Sequence, residues 1–369
     1  SRRRHTRYSL QSRGLGDVYK RQAEARRADG LVGTVDVSAD WSLVARQVSE
    51  EVTGGWVDSY AVDRFESAGG SFVRGRGRLT GPSTVEVDGV EYEAERGIVI
   101  ATGSQPAIPP IPGLADVDYW TTRDAIQAQT LPGSLVVLGG GAVGCELGQV
   151  FARFGVEVTI IEGRDRILPG EDPVASAAVT EAFESEGMRV ITGVMVEQIS
   201  DADGAVTATL SDGTDVTGDR LLVATGRRVV LDGLGLDTAG IDDSGRYIPV
   251  DESLRAAPGI WAIGDVTGLG MFTHVAMYQG SIAVADILGQ EHSPADYTVT
   301  PRATFTDPEV GSVGLTEAEA IDAGFEIDVT VKQLGATFRG WLHRTGNIGV
   351  IKLVVDRSTG RLLGATTVG

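Results

Sequence analysis

Residues 134–162 read SLVVLGGGAVGCELGQVFARFGVEVTIIE, and this stretch decides the fold. SLVVL is an apolar, β-branched run of strand length that ends in three glycines. AVGCELGQVFARFG then carries a helical pattern, with Gly155 where a C-terminal cap belongs. EVTIIE is a second strand. Strand, glycine turn, helix and strand in that order form one βαβ unit of a parallel sheet. Inside it lies Gly139-Gly140-Gly141-Ala142-Val143-Gly144, a G-x-G-x-x-G pattern in the context that gives it meaning. Gly139 permits the tight turn, Gly141 lets backbone approach a pyrophosphate, and Gly144 lets helix and strand pack closely. The helix start offers free N–H groups and a positive dipole end to phosphates. Glu162 closes the second strand, 18 residues after Gly144. A carboxylate there accepts from an adenosine ribose diol and repels a 2′-phosphate, which favours NAD(H) over NADP(H). Arg164 and Arg166 keep NADP(H) open, and they also suit a solvated surface loop.

Working outward, the same alternation continues through RVITG, a small sheet from VTATL with an Asp-Gly turn, and RLLVATG. Upstream, Trp41, Val44, Val48, Val52 and Trp56 follow helical spacing, so residues 41–68 are expected as one helix. Short strands are expected around Val73, at Thr84–Val87 and at Tyr92, with Asp88-Gly89 as a hairpin turn. GIVIATG (97–103) is a buried strand, and PAIPPIPG (106–113) is a connection that resists helix and ladder alike. Downstream, GIWAIGD ends in Ile263-Gly264-Asp265, and a helix follows from Thr273-His274 to about Leu288. A carboxylate at that strand end can hold a polyol hydroxyl, and the helix start can face a flavin ring. Ala101-Thr102-Gly103 and Ala224-Thr225-Gly226 repeat one strand-end turn, which points to two domains whose strands end beside a cofactor. Thr316 and Glu319 form a capping box ahead of a short helix that Gly324 stops.

Bulk composition sets limits. A chain of 369 residues is too long for one ordinary domain. Its formal charge of -19 argues against nucleic acid and anionic lipid as partners. No apolar run reaches 18 residues, so no membrane span is expected. One cysteine, Cys145, allows no intramolecular disulfide and points to a cytoplasmic setting. Cys145 sits in the nucleotide-binding helix and reads as a small core thiol. His292 and His343 lack ligand spacing and read as surface residues, and no metal site is expected. Residues 1–22 hold seven Lys or Arg and one acid, unlike the acidic remainder. They read as a non-native leader, with an organelle transit peptide as the alternative.

Taken together, ATGSQPAIPPIPG, VVLGGGAVGCELG, LLVATGRR, IWAIGD with FTHVAMYQG, and PRATFTDPEVGSVGLTEAEA resemble the class I pyridine nucleotide-disulfide oxidoreductases. That family includes dihydrolipoamide dehydrogenase, glutathione reductase and mercuric reductase. The resemblance covers about residues 23–369. It implies an α/β fold of two Rossmann-like dinucleotide-binding domains, for FAD and NAD(P), plus a partial α+β dimerisation domain. The FAD domain is expected at 23–131 and 251–296 with its first βαβ unit missing. The NAD(P) domain is expected at 132–250, and the dimerisation domain, truncated at its C-terminus, at 297–369. The implied activity carries hydride from NAD(P)H through the flavin to a disulfide or to Hg(II), in a homodimer acting on a small-molecule acceptor. Alternatives are an NADH oxidase or quinone reductase without a redox disulfide, or a non-catalytic NAD-binding fragment.

Carried over by residue, the resemblance puts Gly139 to Gly144, Glu162 and Gly226 on NAD(P). It puts Gly77, Ala101, Thr102, Gly103, Gly264, Asp265, Thr273 and His274 on FAD. Glu146 is expected beside flavin and nicotinamide, where the family pairs it with a lysine. The family's first G-x-G-x-x-G, its C-x-x-x-x-C pair and its C-terminal His-Glu dyad find no match here, so this chain is expected to be inactive on the family's substrates. Arg227-Arg228-Val229-Val230 stands where the family usually reads Arg-x-Pro-Asn.

Overall fold

The computed structural model describes residues 20–29, 33–202, 204–343 and 346–369. The described residues form two compact units: those up to 56, within 106–226 and within 301–369 in one, and those within 57–105 and 227–300 in the other.

In the first unit the apolar runs read from sequence build a five-stranded parallel sheet. Its order is Tyr119–Trp120, Arg220–Val223, Ser134–Leu138, Glu157–Glu162 and Arg189–Thr192. Both faces of the central strand are covered, so Leu135 to Leu138 are all buried. That explains a continuous apolar run in place of an alternating one. Helix Ala142–Arg153 buries Cys145, Leu147, Val150 and Phe151. Gly148 lets it approach the sheet, since a Cβ there would meet Ile160 at 3.3 Å. Val196–Ala202, Ala205–Leu210 and Asp215–Gly218 form the expected small antiparallel sheet. A second, antiparallel five-stranded sheet runs Arg302–Thr304, Val310–Gly314, Leu362–Val368, Val350–Asp356 and Ile327–Gln333. Helix Glu317–Asp322 flanks it in sequence, opened by the Thr316–Glu319 capping box.

The expected helix 41–68 is broken. Trp41–Arg46 is α-helical, Gln47–Val52 continues as a π-helix, and a new helix spans Ser59–Ser67. Gly54, Gly55 and Trp56 all take positive φ, which ends the first segment. The Trp41 indole donates to the Ala128 carbonyl at 3.0 Å and its ring packs on Phe151 and Phe154.

In the second unit Ile98–Ile100 and Ile260–Ala262 pair in parallel, with Arg255–Ala257 antiparallel beyond. Helix Thr273–Ile287 follows. A meander of Gly77–Leu79, Thr84–Val87 and Val90–Glu93 turns at Asp88-Gly89, both at positive φ as a type I′ hairpin requires. No strand forms at Val73.

The compact units do not follow the domain bounds expected from sequence: described residues up to 56, and those within 301–369, fall in the same unit as 132–226. Residues 106–131 belong with the first unit, because Tyr119–Trp120 joins its parallel sheet and Leu114 and Val117 enter its core. Residues 227–250 belong with the second, because Leu236, Ile241 and Ile248 pack with Ile100 and Ile260. Of the 1–22 leader, residues 1–19 lie outside the described residues. Residues 20–28 are helical, and there Lys20 pairs with Glu309 at 2.6 Å and Gln22 is buried.

Candidate functional site

The fingerprint turn takes its shape from contacts that only glycine permits. Gly139 has φ +104°, and a Cβ on it would collide with the Ala224 carbonyl. A Cβ on Gly144 would strike the Gly139 carbonyl. A Cβ on Gly141 would meet nothing within 4 Å, so open space lies beside the start of a 12-residue helix. That helix has no side-chain cap, so its first N–H groups stand available to an anion. Ala142 is exposed and Val143 half-buried at this opening.

Glu162 braces the same turn. One carboxylate oxygen accepts the Gly140 N–H at 2.7 Å and the other accepts the Arg164 N–H at 2.9 Å. Arg166, by contrast, is turned toward backbone: it donates to the Pro169 carbonyl at 3.1 Å and pairs with Asp165 at 3.3 Å. It is a half-buried structural group, not the solvated side chain that its composition suggests. Ala224 donates its N–H to the Leu138 carbonyl at 2.7 Å, which brings the second Ala-Thr-Gly against the fingerprint. Gly226 follows at φ +126° with open space at its Cβ position, and its carbonyl accepts the Ala107 N–H.

Glu146 lies on the next turn of the helix. Its carboxylate accepts the Phe305 N–H at 2.8 Å. Burial pushes its pKa up, and the Phe305 hydrogen bond and the Lys20 charge act against that. Cys145 is the core thiol expected: it is fully buried, donates to the Gly140 carbonyl at 3.3 Å, and burial raises its pKa well above the ordinary range.

In the second unit the parallel strands deliver their C-terminal ends side by side, with the Ile263 N–H on the Ile100 carbonyl at 3.0 Å. Ala101 and Thr102 are exposed there, and Gly103 turns at φ +69° with open space around its Cβ position. Ser104 donates to the Asp265 carboxylate at 2.5 Å. Arg227 donates to the Ser104 hydroxyl at 2.7 Å and lies 3.7 Å from Asp265. Gly264 turns at φ +77° and its N–H donates to Gln279. Thr273 and His274 open the 15-residue helix, both exposed, with the imidazole stacked on Phe272 at 5.3 Å. Gly77 starts the separate meander, paired with Val87.

The arrangement therefore brings Ala101–Gly103 to Gly264-Asp265, and Gly226 to the fingerprint. Sequence reasoning missed Ser104 and Gln279. Ser104 directly follows the first Ala-Thr-Gly, which is a usable signal; Gln279 is one of several polar residues in a mostly apolar helix and gives none. His292, read as a surface residue, is instead drawn onto Asp286 at 3.3 Å; the side chain of His343 lies outside the described residues. No group of three or more His, Cys, Asp or Glu among the described residues could hold a metal.

Residues 35–280 match the pyridine nucleotide-disulphide oxidoreductase family, and residues 300–369 match the dimerisation domain of pyridine nucleotide-disulphide oxidoreductases. A mercuric reductase of Bacillus cereus is 34% identical over 336 residues, covering 90% of this chain and 53% of that protein. A dihydrolipoyl dehydrogenase of Chlorobaculum tepidum is 37% identical over 307 residues, covering 80% and 65%. The chain thus spans between about half and two thirds of the length of these curated relatives. Among solved structures, the Escherichia coli HOCl-induced flavoprotein disulfide reductase RclA, as its Cu(II) complex, superposes with a TM-score of 0.84 at 28% identity, covering 97% of this chain and 79% of that one. The chain belongs to the pyridine nucleotide-disulphide oxidoreductase family.

Proposed function

We propose that this protein is the nucleotide-binding part of an FAD-dependent NAD(P)H oxidoreductase that passes two electrons to a disulfide or to Hg(II). The observation that carries the reading is the fingerprint turn itself. An uncapped helix start and open space at Gly141 adjoin a carboxylate that is hydrogen-bonded into the same loop. In this reading Gly139 to Gly144 hold the pyrophosphate of the nicotinamide nucleotide, with Gly226 beside it. Glu162 meets its ribose. NAD(H) is favoured over NADP(H), because Glu162 supplies negative charge there and Arg166 is committed to the Pro169 carbonyl.

The residues of the second unit fit a flavin dinucleotide. Asp265 offers a half-buried carboxylate to the ribityl hydroxyls, Gly103 leaves its strand end open, and the helix start at Thr273 and His274 is exposed, where it favours negative charge. Ala101, Thr102 and Gly77 extend that surface. FAD, when bound, supplies the hydride-accepting chemistry that no side chain here can supply. Glu146 would serve on the nicotinamide side, its carboxyl held by Phe305. Residues 300–369 support a homodimer, and a cytoplasmic setting follows from sparing cysteine use. Among the described residues no helix is long and apolar enough to cross a membrane.

One observation favours a second reading. Cys145, the one cysteine in the sequence, is fully buried. An oxidase or quinone reductase that needs no redox disulfide is compatible with that. Titration of the purified chain with NADH, NADPH and FAD tests the proposal. Saturable NADH binding with weaker NADPH binding supports it, and absence of both refutes it.

A further inference from the structure

We infer that Tyr297, acting through Gln279, is a positioning residue for the turn Gly264-Asp265, and this rests on the flavin reading above. Gln279 sits in the middle of helix Thr273–Ile287 and is fully buried. A buried carboxamide is costly unless each of its polar positions finds a partner. Here all of them do. Its oxygen accepts the Gly264 N–H at 2.5 Å, and its nitrogen donates to the Thr267 hydroxyl at 3.2 Å and the Tyr297 hydroxyl at 3.0 Å. The Gly264 N–H can only donate, so it fixes which end of the amide faces the turn.

Thr267 completes a clamp. Its hydroxyl donates to the Gly264 carbonyl at 2.9 Å, so Gly264 is held at both its N–H and its C=O. Gly264 is in the left-handed region at φ +77°, and the direction of Asp265 follows from how firmly that residue is fixed. Tyr297 lies outside the helix, 18 residues from Gln279. Its ring meets Tyr278 edge-on at 6.1 Å, and the Tyr278 hydroxyl accepts the Asp296 N–H at 2.9 Å. The phenol is thus placed by its own ring packing and holds the amide nitrogen, and so the whole amide, in the orientation that the Gly264 N–H requires. The buried carboxamide transmits that orientation to the turn that would hold the flavin's ribityl chain.

The test is FAD titration of the full chain, followed by flavin fluorescence, in the wild type, Tyr297→Phe, Gln279→Met, the double variant and Asp265→Ala. Thermal midpoints and NADH affinity are measured alongside. Tyr297→Phe leaves one buried amide hydrogen unpaired and is expected to weaken FAD binding about tenfold. NADH affinity is expected to hold, since the variant lies in the other unit. In the Gln279→Met background, adding Tyr297→Phe should change nothing further, because the tyrosine then has no amide to orient. Unchanged FAD affinity in Tyr297→Phe, with weakened binding in Asp265→Ala, overturns the inference and leaves the flavin reading standing. Additive effects in the double variant also overturn it. No FAD binding by the wild type, or none lost in Asp265→Ala, removes the flavin reading and the inference with it. If Gln279→Met does not fold, the comparison of Tyr297→Phe with Asp265→Ala decides.

Discussion

The Glu162 carboxylate accepts the buried Gly140 N–H at 2.7 Å, so the residue that ends the second strand also fixes the middle of the fingerprint turn. The strand-end acid thereby shapes the loop, and in the proposed function it also presents charge to a ribose. Glu162→Ala removes the acceptor of a buried N–H and a charge. The expected outcome is a stability loss of about 1–3 kcal/mol, NADH affinity lower by about tenfold, and a smaller NADH-over-NADPH preference. Calorimetry with both nucleotides checks it; an unchanged preference sinks the assignment.

Gly144→Ala tests the close packing of helix and turn. The added methyl strikes the Gly139 carbonyl, a backbone atom that cannot swing aside. Overpacking of this kind costs about 1–3 kcal/mol and displaces the helix-start N–H groups proposed to hold the phosphates. Both the thermal midpoint and NADH affinity should fall. Gly155→Ala, where a Cβ meets nothing within 4 Å, should leave NADH affinity intact despite its strained φ of +92°.

Val310, Phe305 and Val313 lie in the stretch that matches the dimerisation domain, so each is a candidate for contact with a partner subunit. The structure buries Val310 in the first unit's core and leaves Phe305 and Val313 only half-buried. Val310→Ala should therefore act on folding, by about 1–3 kcal/mol, and not on self-association. Denaturant unfolding and sedimentation velocity separate the two. A change in association with unaltered stability would reverse this reading.

Asp286 gathers the Arg255 guanidinium at 2.6 and 2.8 Å, the Trp261 indole at 2.8 Å and His292 at 3.3 Å. The Arg255 hydrogen bond foremost holds its carboxyl down to about 2. Its stabilising contribution is present above the ordinary carboxylate value of roughly 4 and is lost as pH falls toward 2. The His292 ring meets the Ser293 carbonyl and the Asp286 carboxylate, both acceptors, and these raise its pKa. That contribution is complete below about pH 6.5 and fades as pH rises through the raised value. The wild type should therefore exceed His292→Phe in thermal midpoint at mildly acidic pH, with the gap closing toward alkaline pH. A gap that widens with pH would contradict the assignment.

Much of this was legible in local patterns. The fingerprint, the Asp88-Gly89 hairpin and the Thr316–Glu319 cap each depend on neighbours a few residues away, and each is present. What escaped depends on distant partners. Nothing in Tyr119–Trp120 reveals that it pairs with Leu221–Leu222, about a hundred residues on, so the packing of residues 106–131 with the first unit was not legible. The helix expected over 41–68 failed because periodicity carried more weight than Gly54-Gly55. Gln279 and Asp286 look like ordinary polar helix residues until the fold supplies Gly264, Tyr297, Arg255 and Trp261.

The 369-residue chain itself should not turn over disulfide or Hg(II) substrates. Passing electrons from a flavin to a disulfide substrate needs a thiol pair that alternates between dithiol and disulfide. Cys145 is the sole cysteine, is fully buried, and donates to the Gly140 carbonyl. Burial raises its pKa, so little thiolate is present near neutrality, and the thiolate is the reactive form. Nucleotide binding is a separate matter, because the fingerprint turn and Glu162 come from one continuous βαβ unit. Calorimetry should show NADH binding, and Cys145→Ser should leave the absence of turnover as it is. NADH-driven reduction of lipoamide or Hg(II) by the purified chain, above a protein-free control, would require another redox centre. If Cys145→Ser then abolished that activity, the buried thiol would have to be exposed during turnover, and the close packing of this helix against the sheet would need to open.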